Sequence, residues 1–274
     1  MGIHTNCYNY FTAQSELASG NPRKDNTAAV SGTDLYEQLD EYYSVTAREL
    51  LLGAPEDDTT LIHYLIPCFN RYNSGAQSVN RLLNYVNRHY VKRAVDEDKG
   101  WLRLNDVLGA GTKIIKEDNT LQRISGRLKE GRIKELKKWG YEDGGSAELL
   151  IRAEACAEAA SSLDRIVPLS SMALRRFRTE FIEPLLKVPG LKGRSKKRRP
   201  PLPPTHDDKG IMPKTRLARA VKELLETEPG DPNEQRKLAV ELADMLRVIG
   251  VRCDHPLRKK LDRFVIASAP WRCG

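Results

Sequence analysis

The chain has 274 residues, with 45 Lys and Arg against 37 Asp and Glu, 40% apolar and 7% aromatic side chains. That length suits two small domains, but the core material is thin for one fully packed globule. The apolar runs Leu50-Leu51-Leu52 and Leu61 to Ile66 fall far short of the roughly 20 residues of a membrane span. Met1 to Asn6 carries no signal-peptide pattern, so a protein of the nucleus and cytoplasm with no membrane partner is expected.

The net charge of +8 is uneven. Residues 1–100 hold 9 basic and 13 acidic side chains, while residues 101–274 carry net +12. Opposite electrostatics suggest two jobs. Five scattered cysteines, Cys7, Cys68, Cys156, Cys253 and Cys273, have no metal spacing and read as thiols in a reducing compartment.

In chain order, residues 1–32 are a polar stretch behind the short aromatic segment Cys7 to Phe11, with Gly20-Asn21-Pro22 as a breaker. From Thr33, Leu35, Leu39, Tyr42 or Tyr43 and Leu50 to Leu52 recur at helical spacing. Thr33 or Asp34 is placed to cap that helix, and Gly53-Ala54-Pro55 to end it. A second helix starts near Asp58 or Thr59 and carries Leu61, Ile62, Leu65 and Phe69, with Pro67 expected to kink it. A third, Ser78 to Val95, has Val79, Leu82, Leu83, Val86, Tyr90 and Val91 on one stripe facing a core.

Residues 102–167 form a charged helical insert: Lys116 to Trp139 has helical character, Gly140 to Gly145 a loop, and Ala147 to Ala160 an Ala-rich helix. Pro168 to Leu186 is a further helix. Residues 188–213 cannot fold alone, because Lys192 to Arg199 repel one another and Pro200 to Pro204 follow; they read as a disordered basic, Pro-rich linker. Over residues 214–274 three short helices are expected. Leu217, Val221, Leu224 and Leu225 stripe the first. Asp231, Pro232 and Glu234 start the second, which carries Leu238, Leu242, Met245 and Ile249 and stops at Gly250. Pro256 opens the third. A bundle of about 60 residues is marginal by itself. The class is all-α.

Asn87-Arg88-His89-Tyr90-Val91-Lys92-Arg93, preceded by Tyr85 and the Tyr72-x-Ser74 step, resembles the first cullin repeat of cullins, the scaffolds of multisubunit ubiquitin ligases. Cys7 to Phe11, Asp34 to Tyr42 and Tyr64 to Arg93 follow the family in order, and the resemblance is nearest in kind to the branch that binds the adaptor of F-box proteins. Leu169 to Leu185 looks like the helix that closes the repeat, displaced by the insert. Residues 33–101 and 168–187 would then form one cullin-repeat-like helical bundle. Phe69 stands where the family usually has Trp, and Pro67 interrupts a normally continuous helix. Second and third repeats, a RING-binding carboxy-terminal domain and the lysine motif for the activating modifier are not found in these residues, so a truncated module is expected.

The resemblance implies a BTB/POZ-fold adaptor as partner, docked on Tyr36, Leu39, Tyr42 and Tyr43 of one helix and Asn87, His89, Tyr90 and Arg93 of another. Tyrosines beside Arg suit a docking surface. The alternative for the Tyr and Leu residues is a place in the core. His89 has no nucleophile or carboxylate in recognisable partnership. Lys196, Lys197, Arg198 and Arg199 suit the acidic groove of a nuclear import receptor, and such runs also bind phosphate backbones. No phosphate loop or metal triad was found: Gly109 to Thr112 lacks the spacing, and His206-Asp207-Asp208 lies in linker. A non-enzymatic interaction protein without cofactor is expected. The competing reading is a basic nuclear protein that contacts nucleic acid through residues 192–219 and the carboxy-terminal helices.

Overall fold

A computed structural model describes residues 32–108, 121–188, 215–226 and 232–267. Those residues form ten helices and no strand. Helix α1 is Thr33–Leu52. It begins after Gly32, whose φ of 102° is a left-handed turn that glycine adopts at little cost. Neither Thr33 nor Asp34 caps it, as the sequence had suggested, because both are already inside the first turn. It ends at Gly53, whose N–H donates to the Glu49 carbonyl at 3.1 Å.

Helix α2, Asp58–Leu82, is capped by Asp57, which accepts from the Thr60 N–H. It runs through Pro67, which sits on the exposed side, and so takes in the start of the predicted third helix. The break comes at Leu83. Beyond it, α3 (84–96) is built from Asn84–Val86, a π-helical turn Asn87–Val91 and Lys92–Asp96. The break resets the helical phase: Val86, Tyr90 and Val91 are buried, whereas Leu82, predicted on the same stripe, is 45% exposed.

Helices α4 (Leu104–Leu108), α5 (Leu121–Lys137) and α6 (Ala147–Ala160) make up the insert. The Lys116 start predicted for α5 lies outside the described residues. The Ser146 side chain accepts from the Leu149 N–H at 3.3 Å and caps α6. Ser146→Ala is expected to cost about 1 kcal/mol, readable by thermal denaturation. Helix α7 (169–186) joins Leu169–Arg176, a π-helical turn Phe177–Ile182 and Glu183–Leu186. Helices α8 (Arg216–Glu226), α9 (Pro232–Val248) and α10 (Pro256–Ala267) complete the order.

Helix α7 is the centre of the molecule, packed against α1, α2, α6 and α8. Leu169, Met172, Ala173, Phe177, Phe181 and Ile182 are fully buried along it. The Phe177 ring lies 5.2 Å from Phe69, 5.1 Å from Tyr72 and 4.9 Å from Phe181, centroid to centroid. The carboxy-terminal helices do not stand alone. Helix α8 lies on α2 and α7, and α9 on α2 and α6, so Leu217, Val221, Leu242 and Leu261 join the same apolar cluster as Tyr36 and Phe177. Three short helices lack enough mutual surface, and α2 supplies it. Leu136, Ala153 and Ala157, with Trp101, Trp139 and Tyr141, make a second small cluster that holds α5 on α6.

Candidate docking surface

The residues singled out by the sequence sort into an inner and an outer set. Tyr36 and Tyr90 are 4% and 8% exposed, with ring centroids 5.0 Å apart. The Tyr36 hydroxyl donates to the Val167 carbonyl and accepts from the Val167 N–H, both at 3.0 Å. Burial pushes its pKa up to about 12, so it stays neutral. Tyr43 is 2% exposed, edge-on to Tyr72. Asn87 Oδ1 accepts from the Leu169 N–H at 3.0 Å, and its amide donates to Asn80 Oδ1 at 2.8 Å. Because Pro168 has no side-chain cap to offer, Asn87 supplies the start of α7 with an acceptor from another helix. A partner cannot reach Tyr36, Tyr43 or Tyr90 without opening the core.

The outer set is Tyr42, 58% exposed with its ring 5.6 Å from Tyr43, together with exposed His89 and Arg93 and half-buried Leu39. His89 stacks on Tyr85 at 4.1 Å. Glu37 and Glu41 are exposed on α1, and Arg88 and Lys92 on α3. The structure therefore joins the inner residues at the meeting of α1, α3 and α7, and leaves one tyrosine and several charges on the outside. Among the described residues no three His, Cys, Asp or Glu side chains converge to hold a metal. The predicted import motif, Lys196 to Arg199, and the aromatic segment Cys7 to Phe11 lie outside the described residues.

Sequence reasoning missed the side chains that fix this surface in place. Arg176 grips Asp40 of α1 through Nε and one terminal nitrogen and reaches Glu180 with the other at 3.3 Å, while Arg48 meets Glu180 at 3.1 Å. Arg175, 1% exposed, donates to the carbonyls of Ser162 and Arg165 at 2.9 and 2.8 Å. Arg178 donates to the Ala159 and Ser161 carbonyls, both at 3.2 Å, and so finishes the end of α6. The signal was three arginines among apolar residues in 169–182, since charges on a buried stripe must be paired.

Glu158 of α6 faces α7, where Ser171 donates to it at 2.6 Å. Burial pushes its pKa up from 4.5 to about 7, helped by Glu154 and opposed by Ser171 and Arg132. The folded chain holds that proton more tightly than the unfolded one. Stability from this group is therefore highest below pH 4.5, falls as pH rises to about 7, and is flat above. Glu158→Gln removes the dependence and is expected to add about 2 kcal/mol at pH 8, after allowance for solvent screening. Urea denaturation of both proteins at pH 5 and pH 8 checks it: equal pH dependence would contradict the burial of the charge.

Part of the chain is similar to a cullin. A stretch of 104 residues, 36% of this chain, is 29% identical to Cullin-1 of Dictyostelium discoideum and covers 14% of that protein. No protein-family model matches the chain, and no solved structure matches it. The all-helical architecture agrees with the bundle expected from a cullin-like repeat.

Proposed function

We propose that residues 1–274 act as a cullin-like interaction module that docks a BTB/POZ-fold adaptor carrying F-box proteins, in the setting of ubiquitin ligases, and recruit no RING subunit themselves. The observation that carries this reading is Tyr42, exposed on a helix whose adjoining face is locked into the core by Tyr36, Tyr43 and Asp40. A large aromatic side chain on a rigid helix docks with little loss of conformational freedom. His89 and Arg93 on α3 supply polar and charged contacts at the rim. The partial similarity to Cullin-1 supports a partner from the ubiquitin-ligase setting. Lys196 to Arg199 would engage a nuclear import receptor and place the protein in nucleus and cytoplasm.

The test is calorimetric titration of the full chain with purified adaptor. The double variant Tyr42→Ala with Arg93→Ala is expected to bind at least tenfold more weakly, about 1.4 kcal/mol or more, with an unchanged melting temperature. Failure of the unmutated protein to bind rejects the reading. The nucleic-acid alternative is weakened by two of its own cations: Arg216 donates to the Pro55 carbonyl, and Arg219 pairs with Asp58 at 2.7 Å.

A further inference from the structure

The small second cluster borders a groove that the adaptor reading leaves unused. It lies between α4, α5, the end of α6 and the turn after α9, encloses about 400 Å³, and is lined by Trp101, Trp139, Ala157, Lys134, Lys138 and Arg252. Both tryptophans are half-buried, so part of each ring faces the groove. On the other flank of α5, a hollow of about 360 Å³ shares Trp101 and carries Lys129 and Arg132.

The charges around it are unequal in number and in how far they are used. Residues 125–138 hold six Lys or Arg and two Glu. Asp106 is held by Arg165 at 3.1 Å and Glu135 by Lys138 at 2.5 Å, which neutralises the groove's acids from within the protein. Lys129 and Lys134 have no ion-pair partner among the described residues, and Arg252 meets Asp254 only at 3.7 Å. What remains is a concave, partly aromatic wall with unspent positive charge, complementary to an acidic partner.

We infer that this groove docks an acidic peptide segment with a large apolar anchor residue. The anchor enters between Trp101 and Trp139, and flanking carboxylates meet Lys134 and Arg252. A nucleic acid strand fits less well. It carries charge at every phosphate, and the exposed Glu130, beside Arg127 and Lys134, interrupts the basic surface, whereas a peptide can place its carboxylates on either side of it. This inference is independent of the adaptor reading, because none of these residues belongs to the Tyr42 surface.

The experiment uses the full chain and a fluorescein-labelled peptide with a central Leu-Phe pair flanked by glutamates, followed by anisotropy. Saturable binding is expected, weakened by salt and weakened about tenfold or more in Lys134→Glu with Arg252→Glu. Lys134→Gln with Arg252→Gln serves should the reversal disturb folding, which circular dichroism reports. Tyr42→Ala with Arg93→Ala should leave peptide affinity unchanged. Absence of saturable binding overturns the inference. So does equal affinity for the peptide with every glutamate replaced by glutamine, undiminished binding by both charge variants, loss of binding in the Tyr42 and Arg93 variant, or tighter binding of an oligothymidylate strand.

Discussion

Phe177→Ala is expected to lower the stability of the protein by about 4 kcal/mol, because the ring is fully buried and the space it leaves cannot collapse. Three aromatic neighbours define that space: Phe69, Tyr72 and Phe181, each with its centroid about 5 Å away. Two of them belong to α2 and one to α7. Tyr72 is further fixed by its hydroxyl, which donates to the Ala173 carbonyl at 3.0 Å. None of these rings can swing into the cavity without giving up its own contacts. Urea denaturation followed by circular dichroism gives the number, and Phe177→Leu should recover more than half of it by refilling most of the volume. A loss below about 1 kcal/mol for the alanine variant would mean that α7 is not the centre of the core.

Gly250→Ala is expected to cost about 3 kcal/mol from two separate sources. Its φ of 85° is a left-handed conformation that penalises any Cβ by about 1 kcal/mol. A Cβ there would also stand 2.6 Å from the backbone nitrogen of Ala160 and 2.8 Å from its Cα. Backbone at the end of α6 cannot step aside cheaply, since Arg178 holds its carbonyls. The form of the unfolding curve matters as much as its midpoint. With α8, α9 and α10 sharing one apolar cluster with α1, α2 and α7, the variant should unfold in a single, earlier transition. A separate early transition, with the rest melting as in the unmutated protein, would show that the carboxy-terminal helices are a detachable unit.

Element type was written plainly in the sequence wherever a 3.6-residue period persisted. The apolar spacing from Leu35 to Leu51 gives α1 its bounds, and Ala147 to Ala160 is α6 as predicted. The period misleads where the helix itself changes pitch. A π-helical turn inserts one residue per turn, as at Asn87–Val91 and Phe177–Ile182, and Leu83 breaks the run before it. The docking residues were half legible. Tyrosine spacing locates α1 and α3, but it cannot separate Tyr42 from Tyr43, adjacent residues that end at 58% and 2% exposure. Which of two neighbouring tyrosines turns inward depends on α7, more than a hundred positions away. The grouping of α8 to α10 with α1, α2 and α7 was not legible at all, since apolar stripes state that a face is buried and leave open what buries it.

That distance along the chain has a consequence for how the protein is made. The carbonyl that accepts from Tyr72 comes 101 residues after it, and the backbone that holds the Tyr36 hydroxyl comes 131 residues after that tyrosine. At synthesis rates of about 5–20 residues per second, α1 and α2 leave the ribosome roughly 5–20 s before the helix that covers their aromatic faces. During that interval Phe69 and Tyr72 have no native partner from α7, and the aromatic faces of α1 and α2 are open to water and to other chains. Folding of this molecule therefore waits on its middle rather than its beginning, and the nascent amino-terminal half is the species that chaperones would be expected to meet.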